Sequence, residues 1–222
     1  MCGRFAFYSP AEATAKLFGV DDAGNLDPRY NIAPTQYVPA IRNAEDRREF
    51  VTLRWGLIPF WAKDPSIGNR MINARAETVA EKPAYRAAYG KRRAIVLADG
   101  FYEWRREGDS KTPYFITVAD GKPFALGGLW EHWTDKETGE TIDSVTLITT
   151  AANEFMQPLH HRMPMILGPE RADEWLGGST DMLETAAEQT PALAAWPVDR
   201  RVNNARNEGE ELIEPAGERL TG

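Results

Sequence analysis

Cys2 is the only cysteine among the 222 residues, and it stands directly behind the first methionine. Once Met1 is removed, Cys2 carries a free α-amine beside its thiol, a 1,2-aminothiol. Unperturbed pKa values of roughly 8 for the amine and about 8.5 for the thiol leave part of each group nucleophilic at neutral pH. The amine can form an imine with an aldehyde, and the thiol can then close a thiazolidine ring intramolecularly. The position therefore predicts a carbonyl compound as reaction partner, against the alternative that Cys2 is a small core residue.

A second enzyme class also uses an amino-terminal cysteine. Class II glutamine amidotransferases begin with the same Met-Cys-Gly, employ the thiol as nucleophile and take the α-amine as its base. In those enzymes an apolar strand typically follows the cysteine, and the domain usually supplies ammonia to a synthase domain on the same chain. Here Arg4 follows Gly3, and 222 residues leave no room for such a second domain. An amidohydrolase of this type remains the alternative function.

Charge is distributed unevenly along the chain. The net charge is −7, but residues 1–110 carry +3 and residues 111–222 carry −10. Residues 51–106 hold 11 basic and 5 acidic side chains, interleaved with the aromatic residues Trp55, Phe60, Trp61, Phe101, Tyr102 and Trp104. Basic residues mixed with aromatic ones can follow a phosphate backbone and stack on unpaired bases. The alternative, which composition alone favours, is a solvated basic face over core aromatics. A non-catalytic DNA-binding module with an incidental Cys2 is therefore a third hypothesis.

Several classes of protein are disfavoured by the composition. One cysteine and three histidines (His132, His160 and His161) give none of the ligand spacings of a zinc site, so we expect no metal and no cofactor. No apolar run approaches the roughly 18 residues of a membrane span, and no basic segment precedes an apolar one at the amino terminus. A lone cysteine fits the reducing cytoplasm. We therefore expect a cytoplasmic protein without a membrane partner.

The hydrophobic pattern predicts a mostly antiparallel sheet with a few helices. Ser9-Pro10-Ala11-Glu12 predicts a helix start, with Ser9 as N-cap and Glu12 completing a capping box, and the helix should end near Gly19. Strands are predicted at EFVTLRWGLI, RRAIVLADGFYEW, TPYFITVAD, PFALGGLWEHW and DSVTLITTAA, with Gly139 in the turn between the last two. Helices are expected after Pro169 in PERADEWLG and again in TDMLETAAEQ. Without repeats or low-complexity linkers, the chain reads as one α+β domain.

Six short motifs follow one another along nearly the whole chain. They are MCGRF at 1–5, RYNIAPTQ at 29–36, RWGLIPFWAKDPSIGNRMINARAET at 54–78, ADGFYEW at 98–104, HHRMPMIL at 160–167 and PVDRRVNN at 197–204. In this order they resemble the SRAP family, the SOS response-associated peptidases or abasic-site processing proteins. The resemblance implies one domain over residues 1–222, with a curved or barrel-like, mostly antiparallel β core, flanking helices and a polar tail from about residue 205.

The resemblance also implies a function. Such a protein binds single-stranded DNA that contains abasic sites, and its Cys2 forms a thiazolidine crosslink with the ring-opened aldehyde of the lesion. The crosslink shields the lesion during the DNA damage response. Autocatalytic removal of Met1 gives the family its peptidase name, and a lyase-type activity accompanies it. We expect a monomer that joins the nucleoid when it is bound to DNA.

Four catalytic residues follow from the resemblance. Cys2 is the nucleophile, and Asn73 holds the amino terminus or the sugar. Glu103 orients the α-amine and transfers protons, and His160 protonates the sugar oxygen during ring opening. Without the resemblance, Asn73 would be interpreted as a turn-capping amide and Glu103 as a surface residue. His161 stands where relatives often carry an acidic residue, and we assign the role to His160 because of its register with the following Arg-Met-Pro.

The resemblance assigns a further set of residues to DNA binding. Arginine forks suit phosphate oxygens, and exposed aromatic rings can wedge against stacked bases. Core packing is the alternative for the aromatic pair. The implied DNA-binding residues are Arg4, Asn31, Pro34, Phe60, Trp61, Arg75, Thr149 and Arg162.

Overall fold

A computed structural model describes residues 2–45 and 47–221, which form strands, three short α-helices and several 3-10 turns. The strands are β1 (Phe5–Phe7), β2 (Arg29–Ile32), β3 (Tyr37–Ala44), β4 (Arg47–Trp55), β5 (Asn73–Arg75), β6 (Arg93–Ala98), β7 (Gly100–Glu107), β8 (Ser110–Val118), β9 (Phe124–Thr134), β10 (Thr141–Ala151), β11 (Arg162–Pro164), β12 (Ile166–Leu167), β13 (Leu193–Pro197) and β14 (Leu220–Thr221). The helices are α1 (Ala11–Leu17), α2 (Arg86–Lys91) and α3 (Pro169–Leu176), and 3-10 helices span Pro65–Arg70, Asp181–Leu183, Arg200–Asn203 and Glu210–Leu212.

Five strands close into a small barrel. Their order is β10, β4, β3, β6 and β9, and β9 pairs again with β10 to complete the ring. The pairing is antiparallel except where β10 runs parallel to β4 and to the short β5. Side chains of the barrel interior merge with the main hydrophobic core, whose members include the fully buried Trp55 and Phe124. The predicted α+β class and barrel-like β core are confirmed.

A second sheet packs beside the barrel and carries the amino terminus. Its strand order is β14, β13, β8, β7, β1 and β2. The residues after 205 run along this sheet, where Leu212 is buried and β14 pairs with β13. A smaller core cluster that includes Ala6, Tyr102 and Phe115 lies on this side. The sheet therefore brings both ends of the sequence to one side of the barrel.

Asp99 fixes the junction between the two sheets. It separates β6 of the barrel from β7 of the second sheet, so the stretch predicted as one strand is two strands. Its buried carboxylate accepts hydrogen bonds from the backbone nitrogens of Tyr8 (2.6 Å) and Ser9 (2.8 Å) and from the Ser9 hydroxyl (2.5 Å). Ser9 is therefore not the predicted N-cap of α1: its hydroxyl is used by Asp99, and Glu12 pairs with Lys16 instead.

The structure confirms some of the other predicted elements and contradicts others. The hairpin between β9 and β10 turns at Gly139, whose φ is 76°, and the helix after Pro169 is present as α3. The helix predicted in TDMLETAAEQ is wrong, because only Asp181–Leu183 forms a 3-10 turn. The pattern also missed β3, where Pro39 lowers the expectation of a strand. Among the described residues, no helix is long and apolar enough to cross a membrane.

Gly100 provides a stability test of the sheet that holds the amino terminus. A Cβ added at Gly100 would lie 2.1 Å from the Phe115 ring, which packs against Tyr102 and Trp196. We expect Gly100→Ala to lower the free energy of unfolding by about 1–3 kcal/mol, as overpacking does. Chemical denaturation of purified protein measures the change.

Gly90→Ala is the matched control for that substitution. Gly90 lies in α2 with no heavy atom within 4 Å of an added Cβ. Alanine in an open helical position is expected to be neutral or to stabilise by up to about 1 kcal/mol. Equal effects of the two substitutions would contradict the close packing described at Gly100.

Candidate active site at the amino terminus

Strand pairing places Cys2 beside Glu103. In the antiparallel pair β1 and β7, Phe5 lies opposite Phe101, and the Tyr102 backbone nitrogen donates to the Arg4 carbonyl (2.9 Å). Continuing this register by one residue sets Gly3 opposite Glu103. Glu103 is 3% exposed, so the interpretation of a surface glutamate is wrong.

Asn73 holds the backbone of Cys2 from the other sheet. It begins β5, which pairs in parallel with β10 of the barrel. Its Nδ2 donates a hydrogen bond of 2.8 Å to the carbonyl oxygen of Cys2. The interpretation of Asn73 as a turn-capping amide is therefore wrong. Its Oδ1 is buried and has no hydrogen-bond partner within residues 2–45 and 47–221, which leaves an acceptor beside the Cys2 backbone.

Burial controls protonation at the centre of the site. Cys2 is fully buried, and burial raises the pKa of its thiol far above the usual value, with the Glu103 carboxylate raising it further. Burial likewise raises the pKa of the Glu103 carboxyl, although the Trp104 backbone hydrogen bond offsets part of that effect. Both shifts favour the protonated form of an acid in a poorly solvated place. Cys2 thus belongs to the main hydrophobic core, as the alternative predicted, and in addition it lies close enough to the Glu103 carboxylate for that charge to act on the thiol.

His160 is partly buried beside this centre, whereas His161 is exposed. The two rings stack with centroids 4.3 Å apart. The Nδ1 atom of His160 lies 2.9 Å from the Arg162 backbone nitrogen, whose N–H donates to it, and 3.0 Å from the Arg162 carbonyl oxygen. The neutral ring can thus accept the N–H, and the protonated ring can donate to the carbonyl. Burial lowers the pKa of His160, and the charges of Arg106 and Arg162 add to this.

Arg162 is held by a carboxylate that the motif search did not single out. The guanidinium forms a bidentate ion pair with Glu77, with one of its two contacts at 3.0 Å, and donates to the Thr149 carbonyl oxygen at 2.6 Å. Arg162 is only 9% exposed and Thr149 is fully buried. Glu77 was present in the same motif as Asn73, but nothing in its spacing indicated a partner 85 residues away.

Arg4 and Asn31 connect the amino terminus to the polar tail. One Arg4 nitrogen donates to Asn31 Oδ1 (2.7 Å) and to the Val202 carbonyl (2.8 Å). Asn31 is fully buried, and its Nδ2 donates to the carbonyl oxygens of Asn204 (3.1 Å) and Asn207 (2.8 Å). In this arrangement Asn31 contacts protein atoms and acts on the site through Arg4.

The other residues assigned to DNA binding lie at the surface. Arg75 ends β5 two residues after Asn73 and is exposed. Phe60 and Trp61, in the turn after β4, are 57% and 49% exposed, so the alternative of core packing is wrong. Pro34 is partly exposed in the turn between β2 and β3.

A cleft of about 410 Å³ adjoins Glu103 and His160. It is lined by Glu103, Trp104, Arg106, Lys111, His160 and Asn203. A neighbouring cavity of about 380 Å³ shares Trp104, Arg106 and His160 and adds Leu159 and His161. The sequence placed Arg106 in the basic segment and Asn203 in the last motif but did not indicate that either lines this cleft, and it gave no signal for Lys111. Over residues 2–45 and 47–221, no three His, Cys, Asp or Glu side chains group where they could hold a metal ion.

Comparisons with known proteins identify the family of the chain. A family model described as SOS response associated peptidase (SRAP) matches residues 1–205. Abasic site processing protein YoaM of Bacillus subtilis is 41% identical over 96% of this chain and 98% of its own length. Abasic site processing protein YedK of Escherichia coli is 35% identical over 97% of this chain and 100% of its own length. A crystal structure of a Bacteroides thetaiotaomicron protein matches 97% of this chain and 100% of its own with a TM-score of 0.83 and 30% identity. The chain therefore belongs to the SRAP family.

Proposed function

We propose that this protein processes abasic sites in single-stranded DNA by crosslinking Cys2 to the lesion. The observation that carries the proposal is the convergence of Asn73, Glu103 and the His160 cleft on a cysteine at position 2. A ring-opened abasic deoxyribose offers the aldehyde that a 1,2-aminothiol captures. The related proteins are named for abasic site processing, which supports the same substrate.

The proposed chemistry begins with the peptide bond between Met1 and Cys2. Hydrolysis consumes one water and frees the Cys2 α-amine, and Glu103 is suited to transfer the protons of this step. Met1 itself lies outside the described residues. The amine then adds to the aldehyde carbon and water leaves to give an imine. Addition of the thiol to the imine carbon forms the C–S bond, and the thiol proton ends on the ring nitrogen. The reaction of the aminothiol with the aldehyde therefore releases one water.

The surrounding groups have distinct roles in this proposal. Asn73 fixes the Cys2 carbonyl, so the amine and thiol are held in one orientation, and its buried Oδ1 is an acceptor for the amine or for a sugar hydroxyl. The raised pKa of Glu103 suits a group that gives and accepts protons near neutrality. His160 donates a proton to the sugar oxygen during ring opening, and its Arg162 contacts accommodate both protonation states.

The proposed DNA path uses the exposed residues around this centre. Arg75 is available for a phosphate, and Phe60 with Trp61 can stack on bases beside the lesion. Arg162, which pairs with Glu77, donates a hydrogen bond to the Thr149 carbonyl oxygen, and it lies two residues after His160. Arg4 and Asn31 support the strand that follows Cys2, and Pro34 lies in the turn after β2. We propose that a monomer carries the complete site.

The crosslink is tested with Cys2→Ala. Incubation of the processed wild-type protein with a single-stranded oligonucleotide that carries one abasic site should give a band of lower mobility on a denaturing gel. We expect Cys2→Ala to give no such band, because the variant lacks the thiol that closes the thiazolidine ring. An equal band from both proteins, or none from the wild type, would contradict the proposal. Consumption of glutamine without DNA would instead favour the amidohydrolase.

The role of His160 is tested by the pH dependence of His160→Gln. Since the pKa of His160 lies below its usual value, the protonated donor forms as the pH falls through the range below about 6.5. We expect the ratio of wild-type to His160→Gln crosslinking rates to rise as the pH falls through this range. Titration of the Cys2 amine affects the crosslinking rates of both proteins equally, so its effect cancels in this ratio.

His161→Gln is the matched control for this experiment, because His161 is the exposed neighbour of the same type. We expect its rate to follow the wild-type profile. A pH-dependent ratio for His161→Gln and a flat one for His160→Gln would transfer the role to His161.

A further inference from the structure

Two cations face each other on the hairpin beside the cleft. In the pairing of β7 with β8, Arg106 lies directly opposite Lys111, and both side chains are exposed. Like charges directly opposite in an antiparallel pair are destabilising. Within the described part of the chain, neither side chain forms an ion pair or a side-chain hydrogen bond. The pair therefore lacks the counter-charge that would remove its repulsion.

The opposite face of the same hairpin is arranged differently. Arg105 forms an ion pair with Glu107 at 2.8 Å and lies 3.4 Å from the Tyr114 hydroxyl. Because side chains alternate along a strand, Arg105 and Glu107 point away from the face that carries Arg106. On one face of the hairpin the charge of Arg105 is therefore neutralised by Glu107, whereas on the other face Arg106 and Lys111 lie together without a counter-charge among the described residues.

The cation pair lines the same cleft as two residues of the candidate site. Arg106 and Lys111 line the 410 Å³ cleft together with Glu103 and His160. Trp104, on the same face of β7 as Arg106, has its ring fixed by a 2.7 Å hydrogen bond from its Nε1 to Asn203 Oδ1. A ligand that extends along this cleft therefore meets both the Trp104 side chain and the cation pair.

We propose that Arg106 and Lys111 bind a phosphodiester of the DNA strand adjacent to the captured nucleotide. The inference rests on the proposed function and adds to it a phosphate subsite on the hairpin side of the cleft. A phosphodiester carries one negative charge and two unesterified oxygens, so it can bridge a guanidinium and an ammonium at once. Its binding removes the repulsion between the two cations, and it fixes the direction in which the strand leaves the site.

The first test measures binding without chemistry. The probe is a single-stranded oligonucleotide with a central tetrahydrofuran residue, which has no aldehyde, and binding is followed by fluorescence anisotropy at several salt concentrations. We expect Arg106→Gln and Lys111→Gln each to weaken binding about fivefold, within the range of an exposed ionic contact. The slope of log K against log salt should become shallower by about 0.7, the value for one phosphate of a single strand.

Arg105→Gln is the matched control, because it removes the same charge from the opposite face of the same hairpin. We expect its affinity and salt slope to stay close to those of the wild type. An Arg105→Gln loss as large as that of Arg106→Gln would overturn the subsite, since only the net charge would then matter. Thermal unfolding of each variant should show an unchanged midpoint.

The second test locates the phosphate. Single neutral methylphosphonates are placed in turn at each linkage beside the tetrahydrofuran residue. One position should weaken wild-type binding about fivefold and weaken Arg106→Gln binding less, because only the Lys111 contact to that phosphate remains to be lost in the variant. Equal losses in both proteins at every position would overturn the inference.

The two proposals fail in distinguishable ways. If the wild type crosslinks true abasic DNA and binds the tetrahydrofuran probe, but the hairpin variants behave as the wild type, the subsite alone is wrong. If the wild type neither binds nor crosslinks, the proposed function is wrong and the subsite falls with it.

Discussion

The pairing of β1 with β7 is the contact on which the site depends. A strand of three residues holds the chain immediately after Cys2, and Gly100 is the partner that permits the two backbones to close over the Phe115 ring. Asp99 fixes the far end of this strand through the backbone of Tyr8 and Ser9. An amino terminus normally frays, but here strand pairing holds the chain after Cys2, and Asn73 holds the Cys2 carbonyl oxygen. The precision of the site is therefore a property of the sheet.

The titratable groups of the site are shifted toward their neutral forms. Burial raises the pKa of Cys2 and of Glu103 and lowers that of His160. The Arg162 charge is balanced by Glu77. These shifts reduce the charge in the interior of the site, whereas the basic side chains of Arg75, Arg106 and Lys111 are exposed at its edges. In the proposed complex, the polyanionic strand follows the edge and the neutral sugar enters the interior.

Sequence patterns predicted the fold class and most long strands, because β8, β9 and β10 are rich in apolar and β-branched residues and are buried along most of their length. They failed where a distant partner decides the local structure. Ser9 has the sequence pattern of an N-cap, but its hydroxyl donates a hydrogen bond to Asp99. Pro39 is tolerated in β3 because it lies at a position where β3 pairs with β4 but not with β6. The same limit applies to the site. Cys2 and the ordered motifs were visible, but the Glu77 pair with Arg162 and the approach of Lys111 to Arg106 arise only from strand register.

The complete burial of the Cys2 thiol also bears on the chemical selectivity of the protein. Peroxides and alkylating agents react with thiolates far faster than with thiols, and the raised pKa keeps this sulfur protonated. An aldehyde, by contrast, is captured first by an amine, and the thiol adds only to the imine so formed. In the proposed reaction the thiol thus reacts more slowly with the oxidants that accompany DNA damage, while the amine of the same residue can still capture the damaged sugar.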